Sequence, residues 1–109
     1  MRWQVKFFPP GGERHSPYDY IRGLENAKEQ AQIAHRLQHL QQTELADWPH
    51  TWVHKIDDKI FQLTAGQSRL MYCLDGDTIV VLHACKKVAQ KTRKQDIARA
   101  ERHYNRYMA

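Results

Sequence analysis

The chain has 109 residues, 41% of them hydrophobic, with 17 Lys and Arg against 12 Asp and Glu and a net charge of +5. A compact core takes about 100–150 residues, so the length supports a single domain over residues 1–109 and excludes a large multi-domain enzyme. No apolar run approaches the roughly 18–20 residues that cross a bilayer, and the opening MRWQVKFFPPGGERH lacks the apolar stretch of a secretory signal, so a soluble cytoplasmic protein with no membrane partner is expected.

From Arg2 to Phe8, Trp3, Val5 and Phe7 alternate with Arg2, Gln4 and Lys6, the period of a half-buried strand. Pro9-Pro10-Gly11-Gly12 ends it. Ser16-Pro17 reads as an N-cap followed by proline at the first helical position, opening a helix with Tyr20, Ile21 and Leu24 that Gly23 weakens or ends. Between Glu25 and Gln42 there is neither Pro nor Gly, and Ile33, Leu37 and Leu40 recur at helical spacing beside Ala27, Ala31 and Ala34. The pattern gives two helices or one long bent one.

Glu44 to His54, with Trp48 and Trp52 around Pro49, reads as an ordered loop over the core. Three apolar pieces follow: Ile60 to Thr64, Arg69 to Leu74, and Thr78 to Cys85. They predict three antiparallel strands turning at Gly66 and at Asp75-Gly76-Asp77. The last, TIVVLHAC, is apolar throughout and predicts a central strand covered on both faces. Lys94 to Met108 forms a helix with Ile97, Ala100, Tyr104 and Met108 on one side and Arg99, Arg102 and Arg106 on the other. The order gives an α+β domain: an N-terminal strand, a helical hairpin, a three-stranded antiparallel meander and a C-terminal helix on a mostly antiparallel sheet.

The basic excess lies in one place. From Lys86 to Arg106 stand Lys86, Lys87, Lys91, Arg93, Lys94, Arg99, Arg102 and Arg106 against Asp96 and Glu101, leaving the rest of the chain near neutral. That concentration suits RNA, DNA or an acidic protein segment, or else simply a solvated helix face. Alternation across the hairpin groups Arg69, Met71 and Cys73 with Val80, Leu82, Ala84 and Lys86, and sets Leu70, Tyr72 and Leu74 with Ile79, Val81 and His83. Arg69 and Lys86 are therefore expected to point the same way, with Lys87 and Lys91 beyond them. Fixed cations at a sheet end could hold a phosphodiester and stabilise a pentacoordinate phosphorane. They could equally meet an acidic partner. His83 and Tyr72 are either proton-transfer groups or satisfied core residues.

Cys73 should face a residue near Val80, about 15 Å from Cys85 along the strand, too far for a disulfide. Both read as buried reduced thiols, and Cys85 as inert packing beside His83. His35/His39 and His50/His54 have i,i+4 spacing, but neither pair has a nearby Cys or an HExxH pattern, and no Gly-rich phosphate loop follows a strand. No metal and no cofactor is expected. Asp57-Asp58 lies between Lys55 and Lys59 and reads as a solvated turn.

Ser16-Pro17 with Tyr20-Ile21 and Leu24, Trp52, Lys55-Ile56, Ile60-Phe61-Gln62-Leu63, Ser68-Arg69-Leu70 with Tyr72, Ile79 to His83 with Lys86-Lys87, and the Ala100/Tyr104 helix together resemble the phage-derived branch of the RelE/ParE toxin superfamily, the HigB-like toxins. The resemblance covers nearly the whole chain. It implies a RelE-like fold and the toxin of a type II toxin–antitoxin pair, partnered by a small helix-turn-helix antitoxin, that enters the ribosome and cuts mRNA without metal. The 2′-hydroxyl then attacks the adjacent phosphate, and the protein must align that hydroxyl, take its proton, neutralise the phosphorane and assist the leaving 5′-oxygen.

By this resemblance Arg69 with Lys86 or Lys87 stabilises the phosphate, Lys55 is a further candidate, and His83 or Tyr104 transfers protons. Lys91, Arg93, Lys94, Arg99, Arg102 and Arg106 would hold RNA backbone. The chain departs from the family pattern at Gln62-Leu63-Thr64, where Glu-Leu-Arg is common, and at Cys85, where an aromatic commonly precedes Lys-Lys. Two other readings stand beside the interferase: a ParE-like toxin that binds DNA gyrase, and a phage nucleic-acid-binding protein without activity.

Overall fold

The structure is a computed structural model describing residues 2–109. Met1, the first residue of the expected domain, lies outside the described residues. In chain order the elements are β1 (Gln4–Phe7), α1 (Pro17–Arg22), α2 (Ala27–Gln42), β2 (Val53–Lys55), β3 (Phe61–Ala65), β4 (Ser68–Asp75), β5 (Thr78–Lys86) and α3 (Lys94–Met108). The five strands form one sheet in the order β1-β5-β4-β3-β2. β1 runs parallel to β5, and every other pairing is antiparallel.

Local sequence explains most of these boundaries. The Ser16 hydroxyl accepts the Asp19 N–H and Pro17 opens α1, while Asn26 caps α2 by accepting from Lys28 and Glu29. The helical pattern therefore resolves into two helices separated at Gly23. Gly66 and Gly76 carry φ of +59° at the first positions of two-residue hairpin turns, backbone that an L side chain would strain. The segment expected as a loop, Glu44 to His54, contains a helical turn at Leu45–Asp47 and the edge strand β2, which extends the meander to four strands. Its Trp48 is buried and donates its indole N–H to the Leu40 carbonyl at 3.1 Å.

The sheet divides two cores. On one face Ile33, Leu37 and Leu40 of α2 pack with Trp48, Leu63, Leu70, Tyr72, Ile79 and Val81. On the other, Ala100, Ile97 and Tyr104 of α3 pack on Ile60, Met71, Cys73, Val80 and Leu82. Each fully buried Leu or Ile contributes roughly 1.5–3 kcal/mol of transfer free energy. β5 is thus covered on both faces, as its unbroken apolar run requires, although β4 is the middle strand of the order. Cys73 pairs with Val80, and both cysteines are free and buried.

Two expectations are corrected. Met108 is exposed, while Ile97, Ala100 and Tyr104 pack as expected, joined by the buried Asp96 and His103 and by Tyr107 against Phe8. Strict alternation along β5 also fails. Met71 faces His83 while Tyr72 faces Val81, so Leu82 has no partner of its own and forms a bulge. Beyond it every side chain changes face: His83 and Cys85 lie with α3, and Ala84 and Lys86 lie with α2. Arg69 pairs with Cys85 and points toward α3, whereas Lys86 points away from it, toward Glu29 at 3.6 Å.

Candidate active site

The bulge sets His83 against the first turn of α3. His83 Nε2 lies 2.8 Å from Asp96 Oδ1, and Arg93 Nε donates to Asp96 Oδ2 at 2.9 Å. Burial works to raise the Asp96 carboxyl, but the hydrogen bonds from His83 and Arg93 outweigh it and hold the group below its ordinary value. Asp96 is therefore a carboxylate and can only accept, which makes His83 Nε2 the protonated nitrogen. Nδ1 carries the lone pair, and it is buried without a partner.

His83 also forms part of a cleft of about 340 Å³ lined by Glu13, His15, Ser16, Asp19, Tyr20 and Ala84. Arg106 reaches across to Glu13 at 3.3 Å and ties the loop before α1 to α3. Desolvation lowers the His15 pKa, and the charges of Arg99, Arg14, His103 and Arg102 act in the same direction. His103 lies under the same cluster. Its Nδ1 is 2.6 Å from the carbonyl of Leu82, the bulged residue, and its ring centroid is 6.5 Å from that of His83.

The sequence-predicted residues lie in several separate places, with Lys86 apart from the others beside Glu29. Arg69 is only 5% exposed, and its guanidinium donates to the carbonyls of Ala89 and Gln90 at 2.6 and 2.7 Å while its Nε is buried without a partner. It clamps the segment between β5 and α3, residues 87–93, as a strap over the sheet. Gln62 holds the same strap by accepting from Thr92 at 2.6 Å, so the departure from the family pattern at Gln62 has a structural use here. Lys87 and Lys91 are exposed on the strap, and Lys94 is exposed at the start of α3. Lys55 lies on the edge strand β2, 3.5 Å from Asp58, and Tyr104 borders a separate concavity with Asp57, Lys59 and Glu101. Neither Lys55 nor Tyr104 lines the cleft that holds His83. His50 and His54 line a third, mainly apolar concavity with Trp48, Phe61 and Tyr72.

The Nε2 or Nδ1, Sγ and carboxylate atoms of His83, Cys85 and Asp96 lie within 4.8 Å of one another. They are the donor set for a soft divalent ion, but both Asp96 oxygens are already engaged. Burial, with the Asp96 charge beside it, pushes the Cys85 thiol up to about 12, so it is a protonated neighbour of the pair rather than a nucleophile.

Sequence reasoning missed His15, Asp96 and His103. Asp96 carried a faint signal, as an acid three residues past Arg93 in the first turn of a basic helix. His15 carried one as the residue before a capped helix, but nothing local shows that it meets α3.

These buried imidazoles predict acid sensitivity. Burial lowers the pKa of His83, against the pull of Asp96, and lowers that of His103, against its bond to Leu82. The unfolded chain therefore binds more protons than the native one below an ordinary imidazole value of 6.5. Stability is complete above that pH and falls as the pH drops below it. Thermal melts between about pH 7.5 and 5.5 should show a falling midpoint, flattened in a His83→Gln/His103→Gln variant. A midpoint that holds steady or rises on acidification contradicts this account.

Among curated proteins, none matches the chain. The family model described as phage-derived protein Gp49-like (DUF891) matches residues 19–105, from α1 to near the end of α3.

Proposed function

The chain belongs to the phage-derived Gp49-like family, and from that premise we propose that it is the toxin of a type II toxin–antitoxin pair, a RelE-like, HigB-like domain that cuts mRNA on the ribosome without metal. The family's association with RelE-like toxins supports a toxin with an antitoxin partner. Among the described residues no helix is long and apolar enough to cross a membrane. The cytoplasm, where ribosomes and mRNA are met, is the site of action in this reading.

The observation that carries the enzymatic part is His83. Its tautomer is fixed by Asp96, its Nδ1 lone pair is unused, and it borders a cleft beside the arginines of α3. Burial keeps the imidazole neutral, and so able to accept a proton, near neutral pH, and Asp96 offsets part of the cost of the imidazolium it becomes. His83 Nδ1, covered in the free protein, takes the proton of the attacking 2′-hydroxyl once the bound RNA parts the cleft over it, and Arg99 and Arg102 neutralise the phosphorane. Lys87, Lys91 and Lys94 then line the approach for RNA backbone. Arg69, held in its own clamp, supports the strap that carries Lys87 and Lys91. Arg93 positions Asp96.

Inducible expression in bacteria with mapping of mRNA ends tests this reading. Wild type should arrest growth and create new ends inside translated frames, and Arg99→Ala/Arg102→Ala should abolish both. In ribosome-free binding assays the same variant should reduce the salt slope for single-stranded RNA by about 0.7 for each phosphate that is no longer neutralised. Arrest without new ends would replace this reading with that of a gyrase-binding toxin. Normal growth would leave a binding protein.

A further inference from the structure

The cleft holds a second imidazole for which the reaction still has a use. His15 stands at φ +62°, a left-handed conformation that non-glycine residues seldom adopt, and it is exposed on the wall formed by the loop before α1. Most of the other polar groups lining the cleft are already committed. Glu13 accepts from Arg106, Asp19 accepts the Gly12 N–H at 2.8 Å, Ser16 caps α1, and the Tyr20 hydroxyl bonds Ser68 at 2.8 Å. The His15 imidazole is exposed to solvent, and His83 Nδ1 is buried without a partner. The cleft is therefore lined by two imidazoles, His15 exposed on the loop and His83 on β5 with its unpaired Nδ1 buried at the wall, with Arg99 of α3 within electrostatic reach of both.

We propose that His15 is a catalytic residue, the acid that protonates the leaving 5′-oxygen. This rests on the ribonuclease reading and adds the second half of its proton transfer. As the 2′-oxygen bonds to phosphorus, its proton passes to His83 Nδ1. As the bond from phosphorus to the 5′-oxygen breaks, that oxygen takes a proton from the His15 imidazolium. The products are a 2′,3′-cyclic phosphate and a 5′-hydroxyl, with no metal or co-reactant consumed. In the free protein desolvation, and beside it the charges of Arg99, Arg14, His103 and Arg102, favour the neutral form of His15, while Glu13 and Asp19 are occupied. A bound phosphodiester brings negative charge beside the imidazole and offsets the arginine field, which favours its protonated form when the substrate arrives.

The test uses His15→Asn, since Asn tolerates left-handed backbone, with His15→Gly as a second variant that relieves the strain entirely. Single-turnover cleavage is followed on ribosomes programmed with a defined mRNA, and again with sulfur replacing the bridging 5′-oxygen at the position wild type cuts. A thiolate leaves without protonation. Both variants should melt as wild type does, cut ordinary mRNA about 100-fold more slowly, and return to near the wild-type rate on the sulfur-bridged mRNA. His83→Gln should stay slow on both. Unimpaired cleavage of ordinary mRNA by either variant overturns the proposal, as does an equal loss on both substrates. If wild type yields no cyclic phosphate ends, the ribonuclease reading fails first, and this proposal falls with it.

Discussion

Replacing His83 by Gln is expected to lower ribosome-dependent cleavage by up to about 10⁴-fold while leaving the fold nearly as stable as wild type. The two halves of that expectation come from different nitrogens. Nε2–H serves the structure, giving the buried Asp96 its second partner at 2.8 Å besides Arg93. A glutamine amide can donate in its place, so the carboxylate is not left unpaired in a buried setting, where the cost would be large. In the proposed reaction Nδ1 accepts the proton, and an amide cannot take a proton there at neutral pH. Asp96→Asn separates the roles further: the fold keeps an acceptor for Nε2–H, but the imidazolium loses its counter-charge, and the rate should fall less than in His83→Gln. Single-turnover rates beside thermal melts check both. Cleavage by His83→Gln at the wild-type rate would remove His83 from the mechanism.

Arg69→Met is expected to destabilise the protein by about 3 kcal/mol and to loosen the strap over residues 87–93. The methionine keeps the apolar stem packed but gives up charge-assisted bonds to the carbonyls of Ala89 and Gln90, and nothing else among the described residues bonds to those two oxygens. The strap keeps its Thr92–Gln62 and Arg93–Asp96 bonds, which limits the loss. Tryptic cleavage after Lys87 or Lys91 should accelerate, because local opening frees the backbone beside those lysines. Arg69→Lys should fall in between, since an ammonium cannot reproduce the planar fork that reaches two carbonyls. If Arg69 acted instead as a direct phosphate ligand, Arg69→Met would weaken RNA binding and leave denaturant melts and proteolysis unchanged.

Much of the architecture is written locally. Trp3, Val5 and Phe7 mark β1 by period two, Ser16-Pro17 places the start of α1, and Gly66 and Gly76 place the hairpins. The run from Thr78 to Cys85 announces a strand covered on both faces. What escaped is non-local. β2 is three residues long and exists because β3 offers it an edge, with Val53 against Leu63, so its own residues show no clear alternation. The parallel pairing of β1 with β5 depends on two segments more than 70 positions apart.

The candidate site shows the same boundary more sharply. Sequence alone determined that His83 belongs to a buried strand, that Arg69 stands on its neighbour, and that a basic helix follows, because burial periodicity and composition are carried by adjacent residues. Only the tertiary structure decided which of these meet. One unpaired residue, Leu82, turns His83 toward Asp96 and Lys86 away from Arg69. With a period of two, a single added residue exchanges the faces of everything beyond it. That bulge is not marked in the apolar run itself: it lies where the His103 ring reaches the Leu82 carbonyl and α3 covers β5, contacts that exist only once the chain has folded.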